Sequence, residues 1–94
     1  MSVISSFGGA TALLLIGTCL AQAQYRGMSC DDLYYQRNSI YKNAGYCFKT
    51  ARGIQTFGNA GCQFDQQGAV PLSRADKANV AAIVAEEIYQ GCPR

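Results

Sequence analysis

Four cysteines in a short stretch behind an apolar leader constrain this chain more than any other feature. The chain has 94 residues and 5 Cys, and Cys19 sits in the leader while Cys30, Cys47, Cys62 and Cys92 follow it. An even set of cysteines in a small exported polypeptide reads as a disulfide framework, because so small a core needs covalent help to stay folded. On the chain-entropy model, bridges closing loops of about 16 and about 63 residues add roughly 3 and 4 kcal/mol.

The exported setting is itself an expectation from sequence. Ala10 to Leu20 is almost entirely apolar or small, and Ala21-Gln22-Ala23 follows as an Ala-x-Ala stop. That layout matches a secretory leader over residues 1–23, with a run too short to remain as a stable membrane span. The segment before Ala10 has no Lys or Arg, a departure from the usual pattern. Cys19 follows Thr18, where an acylation site requires a smaller residue, so Cys19 is expected to leave with the leader rather than carry lipid. Residues 24–94 then form one domain.

All 8 basic and all 6 acidic residues lie in that domain, leaving a net charge of +2. So mild a balance gives no reason to expect nucleic acid as a partner. The chain has no His, which removes the usual proton relay for a serine or cysteine nucleophile.

Two strong helices and a weaker one are expected. Ser29-Cys30-Asp31-Asp32 is a capping pattern, and Leu33, Tyr34, Arg37, Ile40, Tyr41 and Ala44 recur at helical spacing behind it. Gly45 supplies the left-handed residue that ends a helix over 30–44. Thr50 caps a short middle turn carrying Ala51, Ile54 and Phe57, weakened by Gly53. The stretch 60–71 lacks a period and reads as a loop. Ser73 opens the last helix, whose expected packing ridge is Val80, Ile83, Val84 and Ile88 with Ala81 and Ala85 beside it; Gly91 and Pro93 end it. The fold class is all-α, a small disulfide-stapled helical domain with two main helices and a short middle one.

Helix length narrows the cysteine pairing. The first helix spans about 20 Å, too far for Cys30 to reach Cys47. Antiparallel packing of the two long helices favours Cys30–Cys92 with Cys47–Cys62, whereas parallel packing favours Cys47–Cys92. Zinc would compete for the same four thiols, but the spacing lacks close Cys pairs, so no metal or cofactor is expected.

The stretch Leu33-Tyr34-Tyr35-Gln36-Arg37-Asn38-Ser39-Ile40-Tyr41-Lys42-Asn43-Ala44-Gly45-Tyr46-Cys47-Phe48 resembles the YARHG domain. The likeness rests on Leu33, Arg37, Asn38, Ile40, Tyr41, Gly45, Tyr46 and Phe48. Lys42, Asn43 and Ala44 stand where the family has Ala, Arg and His, so any role of that His is absent here. The resemblance implies a bacterial extracytoplasmic module whose molecular function is open.

Candidate site residues follow from side-chain chemistry. Arg37 lies on the apolar stripe between Tyr34 and Tyr41, suited either to a ligand carboxylate or to tying the helix to the loop after it. Asn38 is expected to hold loop backbone. Tyr34 and Tyr41 are expected in the core, and Tyr25, Tyr35 and Tyr89 on the surface as recognition residues. Asp31 and Asp32 are explained by the helix N-terminus, and Glu86 and Glu87 by a solvated face. The sequence reading is a non-enzymatic periplasmic or secreted module that binds or supports an envelope component or a protein. The alternative is a small secreted inhibitor or effector acting on another protein.

Overall fold

A computed structural model describes residues 22–94; the apolar run and Cys19 lie outside the described residues. Residues 22–25 are helical. Three α-helices follow: α1 is Cys30–Asn43, α2 is Ala51–Phe57 and α3 is Arg74–Gln90, with a 3₁₀ turn at Gln67–Ala69. Among the described residues there is no strand, only a single parallel bridge pairing Tyr46 with Phe64.

Each helix starts where a side-chain oxygen can satisfy an orphan amide. Ser29 Oγ accepts from Asp32 N at 3.0 Å, Thr50 Oγ1 from Gly53 N at 3.0 Å, and Ser73 Oγ from Asp76 N at 3.0 Å. At the other ends, Gly45 takes φ +97° just beyond α1, and Gly91 takes the left-handed conformation after α3. Without a Cβ these residues turn the chain at little steric cost.

α1 and α3 pack antiparallel. Cys30 at the start of α1 is bonded to Cys92 just past the end of α3, with Cα atoms 5.6 Å apart. Between the helices lie Leu33 and Ile83, both fully buried, with Tyr25 and Ala82 beside them and Met28 and Ile40 packed around the edge. Complete burial of Leu33 and Ile83 stabilises the pair by about 1.5–3 kcal/mol each. The packing face of α3 is therefore Ala82, Ile83 and Glu87, while Ile88 is 66% exposed. The expected ridge through Ile88 is corrected by this. Apolar side chains occur all around α3, so spacing alone does not fix which side meets α1.

α2 lies against the other side of α1 and builds a second, aromatic cluster. Tyr35 stacks on Phe57, Phe57 on Phe48, and Phe48 meets Tyr46 edge-on, with centroids 5.3, 5.0 and 5.0 Å apart. Gly53 is buried under Phe48, where a Cβ would fall 2.8 Å from Phe48 Cδ1. The glycine that weakens α2 as an isolated helix is thus what lets it approach the ring. Cys47–Cys62 closes this half, with Cα atoms 5.1 Å apart. Cys47 N donates to Phe64 O at 2.8 Å, and Phe64 N to Gly45 O at 3.0 Å, which seats the Phe64 ring against Gly45.

Candidate functional site

The polar residues inside the domain are matched to one another. Arg37 Nε donates to Glu87 Oε1 at 2.8 Å and its NH2 to Oε2 at 3.1 Å. The Glu87 side chain is 1% exposed and that of Arg37 14%. Such a fork-on-carboxylate pair is the strong form of a charge-assisted contact. Arg37 therefore has its carboxylate partner within the fold, on α3 rather than in the loop after α1. Glu87 is correspondingly not on a solvated face. The antiparallel register explains it: seven residues into α1 from Cys30 lies opposite the last turn and a half of α3, and Glu87 is the carboxylate there. An arginine on an apolar stripe is the sequence signal that such a partner must exist.

Asn38 is 5% exposed, and its Nδ2 donates to Tyr34 O within its own helix at 3.0 Å. The loop backbone is held instead by Asn59. Its Oδ1 accepts from Phe48 N at 2.6 Å and its Nδ2 donates to Phe48 O at 3.0 Å. Nothing in the sequence pattern distinguishes Asn59 from an ordinary helix-ending residue. Tyr34 is half-buried, with the Arg52 guanidinium 3.7 Å above its ring and Arg52 also paired to Asp31 at 2.9 Å. Asp31 and Asp32 are exposed in the first turn of α1.

The three surface tyrosines separate. Tyr25 is buried at 5% exposure, and its hydroxyl donates to Asn79 Oδ1 at 3.2 Å. Burial pushes its phenol pKa up. Its expected place at the surface is overturned because the ring fills the gap beside Leu33 and Ile83. Tyr35 is 54% exposed but carries the end of the aromatic stack, and Tyr89 is 85% exposed.

Tyr89 borders a groove on the surface of the domain. It has a volume of about 420 Å³ and lies between residues 22–26 and α3, lined by Gln22, Arg26, Ala82, Ala85, Glu86 and Tyr89. Ala82 and Ala85 leave the floor shallow and apolar, and Arg26 and Glu86 put opposite charges on the lining. Glu86 is oriented by Gln90 Nε2 at 2.7 Å and by Gly27 N at 3.2 Å. The Gln90 amide and then the Gly27 N–H hold its carboxyl below the ordinary glutamate range, with Arg26 adding a smaller attraction. Arg26, Glu86 and Gln22 carry no periodic or motif signal that marks them as a group.

Among the described residues no group of three His, Cys, Asp or Glu is placed to hold a metal. Cys30, Cys47, Cys62 and Cys92 are all held in disulfides. Lys42 donates to Gly58 O at 3.2 Å and Lys49 pairs with Asp65 at 2.7 Å. Among the described residues no helix is long and apolar enough to cross a membrane.

A family model, the YARHG domain, matches residues 10–87. The match begins inside the apolar stretch read as a leader and ends at Glu87, the partner of Arg37. No curated protein and no solved structure matches the chain.

Proposed function

The chain belongs to the YARHG domain family, small extracellular domains of unknown molecular function, and on that footing we propose a non-enzymatic exported binding module. It acts in the periplasm or outside the cell after loss of residues 1–23, which takes Gln22 from the groove and leaves Arg26, Ala82, Ala85, Glu86 and Tyr89 as its lining, and it contacts a protein or another envelope component. One observation carries the reading: Tyr89 stands 85% exposed at the edge of a groove with an apolar floor and opposite charges on its lining. An exposed ring beside small residues offers area for a partner at low conformational cost. Arg37, the other recognition candidate, is engaged by Glu87 and acts in this reading as a structural tie. Two disulfides are in keeping with an oxidising compartment.

The test is capture from envelope extracts with the tagged domain starting at Gln24. Tyr89→Ala and Ala85→Arg alter the groove without touching the buried core. Each is compared with wild type after intact mass confirms both bridges. Loss of the same partner in both variants supports the reading. Retention of every partner by both overturns the groove as the site. A soluble, tight one-to-one complex with a foreign enzyme would instead favour the inhibitor alternative.

A further inference from the structure

The bond that an export peptidase would cut lies in an exposed but helical turn, just before a buried residue of the folded domain. With a leader ending at Ala23, hydrolysis adds water across the Ala23–Gln24 amide, leaving a carboxylate on Ala23 and an amine on Gln24. In the folded chain residues 22–25 are helical, and the Ala23 carbonyl accepts from Arg26 N at 3.2 Å. Tyr25, the second residue past that bond, is 5% exposed and bonded to Asn79.

The next residues are also fastened along α3. Gly27 N donates to Glu86 Oε2 at 3.2 Å, and Met28 O accepts from Gln90 Nε2 at 2.7 Å. Residues 25–28 thus run along α3 as a strap whose far end is fixed by Cys30–Cys92. Peptidases take substrate as exposed, extended backbone, and cutting within structured regions follows the fraction of molecules locally open. A helical turn hung on a buried tyrosine offers little of that conformation.

We infer that the Ala23–Gln24 bond is open to an export peptidase only before the 25–28 strap docks on α3, so that leader removal must come before folding is complete. The inference rests on the proposed leader. A precursor that closes Cys30–Cys92 early keeps its leader, and the strap seals only after the cut. Docking of the strap is a processing checkpoint set by Tyr25, Asn79 and Glu86.

The experiment uses the full-length precursor in detergent micelles with purified bacterial signal peptidase. Reduced and oxidised, folded precursor are compared by intact mass, which reads both rate and cut site. The reduced form is expected to yield a product starting at Gln24, and the oxidised form to be cut about tenfold or more slowly. Glu86→Ala and Asn79→Ala, both far in sequence from the scissile bond, are expected to speed cutting of the oxidised form and leave the reduced form unchanged. Equal rates for reduced and oxidised wild type overturn the inference, as does an unchanged oxidised rate in both variants with bridges intact. A precursor that is uncut in either form, or cut elsewhere, overturns the leader itself and the inference with it.

Discussion

Arg37 and Glu87 join α1 to α3 through two parallel hydrogen bonds, 2.8 and 3.1 Å long, with the carboxylate almost wholly withdrawn from water. Removing one member of a buried pair leaves the other charge without compensation, which costs about 3–5 kcal/mol. Arg37→Ala is therefore expected to destabilise the domain by about that much in a denaturant titration, since the buried carboxylate then keeps only Arg94 at 4.0 Å, with Glu87→Ala near the lower end because the Arg37 left behind keeps some contact with solvent. Arg37→Met combined with Glu87→Leu is expected to recover most of the loss. A double variant no more stable than either single one would show that the charges themselves hold the helices in register.

Gly53 gives a prediction of opposite sign to helix propensity. In an open helix Gly→Ala stabilises by about 1 kcal/mol. Here the new Cβ meets Phe48 Cδ1 at 2.8 Å and Phe48 Cβ at 3.1 Å. Phe48 is buried and stacked on Phe57, so the ring has little freedom to yield. Gly53→Ala is expected to lower stability by about 1–3 kcal/mol, measured by thermal unfolding.

Asn59 satisfies both backbone groups of Phe48. Asn59→Ala strips partners from a donor and an acceptor together and is expected to cost about 1–3 kcal/mol. Asn59→Asp keeps an acceptor for Phe48 N and loses the donor to Phe48 O, so it should fall between the two. Amide hydrogen exchange at Phe48 checks this directly, because that proton should exchange faster in Asn59→Ala than in Asn59→Asp.

The strap has a pH dependence. Gln90, Gly27 and, more weakly, Arg26 favour the Glu86 carboxylate and hold its folded pKa below its unfolded value. Stability from a depressed carboxyl is present above the unfolded value and is lost as pH falls through the folded one. Gly27 amide protection is thus expected to be constant near neutrality and to decline below the ordinary glutamate range. Glu86→Gln should flatten that decline, and an unchanged profile in the variant would assign the acid response to another group.

The helix boundaries were legible because their causes are local. Ser29, Thr50 and Ser73 each act on an amide three residues away, and Gly45 and Gly91 each act on their own backbone. The pairing of Cys30 with Cys92 followed from helix length once antiparallel packing was assumed. The family resemblance likewise rested on a contiguous stretch in and just after α1.

What escaped the sequence depends on contacts across the fold. Tyr25 carries no helical or strand period around it, yet it is buried because the strap lays it between α1 and α3. Glu87 looks like half of an exposed acidic pair until Arg37 is placed opposite it. The face of α3 was misread in part for the same reason: Ile83 is buried as expected and Val80 and Val84 are half-buried, but Ile88 is exposed and Ala82 takes a buried place, a choice only the partner helix makes. The groove is less legible still, since Gln22 and Arg26 meet Glu86 and Tyr89 from the far end of the chain.

The two covalent links are nested, Cys47–Cys62 lying wholly within the span closed by Cys30–Cys92. A protease that nicks the backbone once anywhere between Cys30 and Cys92 therefore releases no fragment. The severed ends stay tethered by at least one sulfur bridge, and by two when the nick falls between Cys47 and Cys62. Outside the cytoplasm, where hydrolytic enzymes are plentiful and no ribosome can replace a damaged copy on the spot, a molecule wired in this way tolerates its first injury without coming apart.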